Sequence, residues 1–245
     1  MPLTARIYLY CDAKLGLERR PRLFVMKLGH WNKRSDFCME EQKPYSDRDF
    51  KRAKDSIDHA KGYKDVGLEA LVEGLNLSPT EVEDFRGKRI LDLGAGAHLQ
   101  FARGLEKAGI NADVVSLSPA FADKYWREAM KGRKESDMLV AAMGEQLPFA
   151  DESFDRIVSD DVLEHLHTHK RYILFLKEVV RVLAPKGLAY LGPAAEISGE
   201  YAANVIAKPE LEKLLDHQAT ATWRLSHKIL KYFTLILEKN AHVED

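Results

Sequence analysis

The sequence is poor in cysteine, in net charge and in long apolar runs, and each shortage narrows what the chain can be. Its two cysteines, Cys11 and Cys38, both lie in the N-terminal quarter. Their spacing fits neither a zinc site nor a disulfide framework, so both are expected to be ordinary reduced thiols. Thirty-seven basic residues nearly cancel thirty-eight acidic ones, for a formal net charge of −1. No global field is left to gather nucleic acid or an anionic membrane. A small basic cluster at Arg19, Arg20 and Arg22 is explained by a solvated loop at least as well as by a binding patch. No run approaches the ~18 to 20 apolar residues of a membrane span, and the opening MPLTARIYLYCDAKLG is too short and too interrupted for a secretory signal. The expectation is a cytoplasmic protein with a small-molecule partner and with neither nucleic acid nor membrane among its partners. Its oligomeric state is not legible.

What is present is alternation. The length of 245 residues suits one large α/β domain with an appendage. From Arg89 onward, short apolar runs alternate with helical ones, the pattern of parallel strands joined by crossover helices. The strand candidates are RILDL (89–93), DVVSLS (113–118), MLVAAM (138–143), RIVSD (156–160) and LAYLGP (188–193). Between them HLQFARGLEKAG, FADKYWREAMKGR and KRYILFLKEVVRVL read as helices, the last with a stripe at Ile173, Leu176, Val180 and Leu183. Gly109 and Gly132 fall where C-terminal caps belong. AAEISGEYAAN, after Pro193, reads as a loop or short helix, and Pro209 sits at the first helical position of a following segment. TATWRLS and YFTLILE suggest a closing antiparallel pair. We therefore expect a Rossmann-like, doubly wound α/β sheet of seven strands over residues 81–245, mostly parallel with a C-terminal antiparallel hairpin.

Residues 1–80 read as an N-terminal extension. ARIYLY and RLFVMKLG suit a hairpin, DRDFKRAKDSIDHAKGY is polar with helical propensity, and YKDVGLEALVEGL is an amphipathic helix expected beside the first strand of the domain. Trp31, Tyr45 and Tyr63 suit either a lid over the site or a small packed extension.

The turn LDLGAGAHLQ carries the functional argument. Gly94 and Gly96 at the end of a strand allow a sharp turn and the close approach of a ligand, although glycine also serves a turn with no ligand. A mononucleotide loop needs a lysine and a hydroxyl residue after its glycines, and GAGAHLQ has neither. A dinucleotide site asks for a third glycine where Leu99 stands. A ligand without phosphates asks less of this turn.

Four segments in order, LDLGAG, VVSLSP, GEQLPFADESFDRIVSDDVLEHL and FLKEVVRVLAPKGLAYLGP, resemble the class I S-adenosylmethionine-dependent methyltransferases, in particular their small-molecule branch. The resemblance implies S-adenosyl-L-methionine as cofactor and an α/β methyltransferase fold. By the same resemblance, Asp92 reaches the methionine portion, unless it merely caps the turn, and the backbone of Gly94, Ala95 and Gly96 lines that portion. Ser116 and Leu117 end the second strand at the ribose, Met143, Gly144 and Glu145 flank adenine, and Asp160 lies under the sulfonium.

Three positions depart from the family pattern. Ser116 stands where an acidic residue usually holds the ribose hydroxyls, a change costing about 1 to 3 kcal/mol of binding. Met143 replaces a frequent acidic partner of adenine, and His98 replaces a third glycine. These departures keep open an alternative, a catalytically degenerate methyltransferase-fold protein that binds or regulates. For the enzyme reading, Asp161 and His165 are the catalytic candidates. His165 is placed to take a proton from an acceptor hydroxyl; the alternative, since VLEH recurs in the family as a sheet-to-helix turn, is a histidine that only orients backbone. The alternate histidines of HLHTH (165–169) suit metal ligands only on an extended strand. Asp161, Glu164 and His165 resemble the acidic cluster of some metal-assisted O-methyltransferases, but no further ligand is identifiable and no metal is assigned. An Asn-Pro-Pro-Tyr-like segment is absent, which argues against methylation of DNA bases. The expected reaction is methyl transfer to oxygen of a small molecule.

Overall fold

The structure, a computed structural model, describes residues 8–10, 22–24, 67–96, 99–122, 138–166, 168–195, 208–227 and 232–241. Strands β1 (Tyr8–Tyr10) and β2 (Arg22–Phe24) pair antiparallel, Tyr8 opposite Phe24, as the two N-terminal runs suggest. Of the expected helix over FADKYWREAMKGR only Phe121 and Ala122 are described, as the end of a 3-10 turn (Pro119–Ala122); the rest of it, the helix over DRDFKRAKDSIDHAKGY, the cap at Gly132, and Trp31, Tyr45 and Tyr63 lie outside the described residues. So does most of the AAEISGEYAAN segment.

The apolar, β-branched runs after residue 88 form one sheet. Strands β3 (Arg89–Leu93), β4 (Asp113–Leu117), β5 (Met138–Val140), β6 (Phe154–Asp160) and β7 (Leu183–Ala195) are parallel. Strands β8 (Ala219–His227) and β9 (Tyr232–Lys239) complete the order β5-β4-β3-β6-β7-β9-β8. This is the expected doubly wound sheet of seven strands with an antiparallel hairpin. Strand β9 slides between β7 and β8 and runs antiparallel to both. Composition accounts for its interior place: Leu235 and Leu237 of β9 are buried, whereas Thr220 and Thr222 of β8 are exposed.

Two strand boundaries differ from the sequence pattern. MLVAAM is paired only over Met138–Val140, because β5 is an edge strand and the chain turns at Gly144. Strand β7 begins at Leu183, directly after a helix, with Lys186 at φ +61°. Its register jumps from Phe154↔Leu183 to Arg156↔Leu188, so Pro185 falls in an irregularity rather than in a regular ladder.

Both faces of the sheet are covered. Helix α1 (Gly67–Gly74), the short α2 (Pro79–Glu83) and α3 (Gln100–Lys107) lie on one side. There Leu71, Leu75, Phe85, Phe101 and Leu105 bury Ile90, Val158 and Tyr190. Phe85 meets Phe101 and Tyr190 edge to face, at ring separations of 5.3 and 6.2 Å. Gly104 lets Leu68 of α1 lie against α3, since any Cβ at 104 would collide with it. Gly109 ends α3 at φ +71°, and the N–H groups of Gly109 and Ile110 bond to Glu106 and Leu105 carbonyls. On the opposite side lies α4 (His169–Val182), capped by Thr168. Its buried face is Tyr172, Phe175, Leu176, Val179, Val180 and Val182. Ile173, expected in the stripe, is at the rim. Helix α5 (Lys208–Leu214) precedes β8.

One polar clasp joins the helices before β3 to the C-terminal hairpin. Ser78 and Glu81 form a capping box at the start of α2, and Glu81 also accepts two bonds from Arg224 of β8 at 2.7 and 2.9 Å. Arg224 in turn donates to the Asn76 carbonyl at 2.9 Å. The Arg224 bond, assisted by Ser78, holds the Glu81 carboxyl at about 2, well below the ordinary 4.5. Because its folded pKa is depressed, Glu81 stabilises the fold above about pH 4.5 and loses that contribution as the pH falls toward 2. Glu81→Gln should therefore cost about 1 kcal/mol at pH 7, discounted for partial exposure. Urea denaturation at pH 7 and at pH 2.5 checks this. The cost should shrink at the lower pH, and an equal cost at both would remove the clasp from the account.

Candidate functional site at the carboxyl ends of the central strands

Strands β4 and β6 flank β3 on opposite sides, so the chain reverses its winding direction at β3. In an open α/β sheet that reversal leaves a crevice at the carboxyl ends. The turn after β3 lies at that reversal. Gly94 has φ +86° and Gly96 φ +58°, the left-handed region that favours glycine. The N–H groups of Gly94 and Ala95 both donate to the Leu117 carbonyl, at 2.8 and 3.1 Å, which stitches the turn to the end of β4. A Cβ on Gly94 would collide with Val162 and lie 3.9 Å from the Asp160 carbonyl. The turns after β3 and β6 are therefore in van der Waals contact. Gly96 differs, because a Cβ there would meet only its own turn. Beneath the turn, Ala95 and Leu139 pack against buried Leu99, Phe121 and Ala141.

Asp92 is 4% exposed and its Oδ2 has no hydrogen-bond partner. Burial alone pushes its carboxyl up to about 7. Ser116 sits beside it in register on β4, also buried, and Leu117 and Ser118 follow. Asp160, half-buried at the end of β6, has its carboxylate against Gly74 at the end of α1, where an added Cβ would lie 3.3 Å from Oδ1. Asp161 is held at φ +55° while its N–H donates to the Gly192 carbonyl at 2.8 Å. Among non-glycine residues aspartate is one of the few that adopt this left-handed conformation readily, at a modest cost. Loss of hydration raises the Asp161 carboxyl, and the charge of His165 opposes the rise. His165 itself is exposed and ends a single 3-10 turn, Leu163–His165.

Met143, Gly144 and Glu145 form the turn after β5. Phe175 of α4 occupies the space a side chain at 144 would need, 2.5 Å from the Cβ position. The Glu145 carboxylate is paired with Arg171 of α4. Farther along, the Leu147 N–H donates to Glu178 at 2.7 Å, and Arg181 donates to the Leu147 and Phe149 carbonyls at 3.0 and 2.8 Å.

Asp92, the Gly94–Gly96 turn, Ser116, Leu117, Asp160 and Asp161 thus converge at neighbouring strand ends. Met143–Glu145 follow the neighbouring edge strand, and His165 stands one turn beyond β6. The side chain of Glu164, and residues His98 and His167, lie outside the described residues. Among the described residues, no three His, Cys, Asp or Glu side chains gather to hold a metal ion, and no helix is long and apolar enough to cross a membrane. Sequence reasoning missed Val162, which excludes a side chain at 94, and Arg171, which engages Glu145.

Residues 91–191 match a family model described as a methyltransferase domain. Over 109 residues, 44% of this chain, the sequence is 33% identical to an uncharacterized methyltransferase of Mycolicibacterium vanbaalenii, covering 40% of that protein. Over 41 residues, 17% of this chain, it is 51% identical to the mouse (Mus musculus) protein named "Probable tRNA methyltransferase 9B", covering 9% of it. The chain therefore spans less than half the length of these relatives. The fold is similar to that of the N-methyltransferase NodS from Bradyrhizobium japonicum WM9, solved in complex with S-adenosyl-l-homocysteine. The TM-score is 0.52 at 16% identity, with 78% of this chain and 100% of that chain covered.

A buried carboxyl whose folded pKa is raised favours the fold at low pH, and the benefit fades as the pH rises from about 4 through 7. Asp92→Asn should therefore stabilise the ligand-free protein at pH 8 by about 1 to 3 kcal/mol, and by much less at pH 4. Thermal unfolding of both forms across that range is the check. A difference independent of pH would mean that Asp92 is not a desolvated carboxyl.

Proposed function

We propose, from the premise that residues 91–191 form a methyltransferase domain, that this protein binds S-adenosyl-L-methionine at the carboxyl ends of β3, β4 and β6. Its methyl group passes to oxygen of a small-molecule acceptor. The observation that carries the reading is the buried Asp92 carboxyl with an unpartnered Oδ2, set behind a glycine turn at the reversal of the sheet. A buried carboxylate without a partner is costly, and a ligand ammonium or an ordered water supplies the missing donor. The turn suits a ligand held by main chain, because Gly94 and Gly96 present backbone with no Cβ between it and the crevice.

The bound cofactor supplies an electrophilic methyl on a sulfonium whose positive charge is lost on transfer. The remaining work of the site is alignment and exclusion of water. Ser116 offers a neutral hydroxyl near the ribose, and Met143 and Gly144 offer an apolar flank to adenine. Asp160 and Asp161 border the reacting centre at the end of β6. His165, close enough to Asp161 for their charges to interact, takes the proton of an acceptor hydroxyl as the new bond to carbon forms. The charge balance of the chain favours a small acceptor over a polyanion.

Titration calorimetry with S-adenosylhomocysteine should show saturable binding at micromolar concentration, weakened but not abolished by the neutral Ser116. No heat and no thermal shift at millimolar ligand would instead support the degenerate binding-module reading, which Ser116 and Met143 recommend. Once an acceptor is found in a screen of hydroxylated small molecules, His165→Ala should lower turnover about 100-fold or more, the usual scale of general-base catalysis. The affinity for S-adenosylhomocysteine should change little. An unchanged rate would remove His165 from the mechanism.

A further inference from the structure

We infer that Arg171 is a positioning residue for the adenosyl side of the site, holding the Met143–Gln146 turn in place through Glu145. The inference rests on the functional reading above, since it assigns that turn to the nucleoside.

Arg171, Phe175, Glu178 and Arg181 recur along α4 at intervals of four, three and three, so they share one face of the helix. Each engages the segment that follows β5. The far end of that segment is held redundantly. Leu147 N–H donates to Glu178, Arg181 donates to two main-chain carbonyls, and Arg181 also pairs with Glu178 and Asp151, each at 2.7 Å. The near end, beside the crevice, meets α4 through Gly144 and Glu145. Gly144 rests on Phe175, Gln146 N–H donates to the Met143 carbonyl at 3.2 Å, and Glu145 pairs with Arg171. That pair is largely shielded, with side chains 13% and 23% exposed, so it is not an ordinary surface bridge.

This shielded pair gives Arg171 its role. Losing Arg181 would loosen a segment remote from the ligand, whereas losing Arg171 leaves Glu145 as a half-buried charge without its partner and frees only the turn at the crevice. A turn already ordered before binding spares the ligand the entropy of ordering it. With the carboxylate engaged by Arg171, Glu145 contributes to the nucleoside side through the position of its main chain. Arg171 also begins at the capped end of α4, its N–H donating to Thr168 Oγ1 at 3.3 Å. The same short stretch of helix therefore anchors the cofactor-side turn and follows directly from the segment bearing Asp161 and His165.

The test compares Arg171→Gln, Arg171→Lys and the exchanged pair Glu145→Arg with Arg171→Glu. Lys177→Gln serves as a control, breaking the exposed Lys177–Asp216 pair at 3.1 Å elsewhere on α4. Two readouts are taken: amide hydrogen exchange of the ligand-free protein, and S-adenosylhomocysteine affinity by calorimetry. In Arg171→Gln, exchange should quicken at residues 143–147 and remain near wild type at 154–160 and through α4. Affinity should fall about tenfold, the scale of one charge-assisted contact. Arg171→Lys and the exchanged pair should recover most of both losses, and Lys177→Gln should lose neither. Wild-type exchange at 143–147 in Arg171→Gln overturns the inference whatever the ligand does. Faster exchange with unchanged affinity overturns the positioning role but spares the functional reading. A wild-type protein that does not bind S-adenosylhomocysteine overturns both.

Discussion

The structure depends on a steric meeting between two turns. Strands β3 and β6 end side by side, and the turn after each must pass without a side chain between them. Gly94 satisfies this twice over, by its left-handed backbone and by leaving the space that Val162 fills. Strand β6 lies in register against β3, and its carboxyl end carries Asp160 and Asp161 to the same crevice. The two hydrogen bonds from Gly94 and Ala95 to the Leu117 carbonyl bring β4 into the same arrangement. Three strand ends are thus fixed relative to one another by main chain and one valine.

Stability is given up at this place. A carboxyl 4% exposed with an unbonded oxygen, and a non-glycine residue at positive φ, are both unfavourable in an empty protein. They sit against a core that is otherwise conventional, with aromatic and aliphatic side chains closing both faces of the sheet. Positive φ recurs at Lys186 and five other non-glycine residues, so what distinguishes this place is the desolvated Asp92 carboxyl beside the glycine turn.

Much of the architecture was legible in the residues. Alternation of short apolar runs with amphipathic helices indicated a parallel sheet, and Gly109 falls at a helix end as its chemistry requires. The glycine turn and the adjoining Asp92, Ser116 and Asp160 could be placed at strand ends from pattern alone. Periodicity could not place β9 between β7 and β8, because strand order depends on which strand is apolar enough to be buried on both sides. The bend around Lys186 and the early start of β7 were hidden by Pro185, which reads as a strand breaker. Arg171 and Val162 were missed for a related reason. Their importance comes from partners 26 and 68 positions away in sequence, Glu145 and Gly94, contacts that no local pattern encodes.

The central claim is that the crevice at the ends of β3 and β6 receives a sulfonium nucleoside chiefly through main chain, with Asp92 gaining its missing donor there. A crystal structure of the protein with S-adenosylhomocysteine tests this most directly. The account predicts the amino-acid end of the ligand against the Gly94–Gly96 turn, and a ligand nitrogen or bridging water within hydrogen-bond distance of Asp92 Oδ2. Density for the ligand elsewhere on the molecule, with Asp92 still unpartnered, would contradict it.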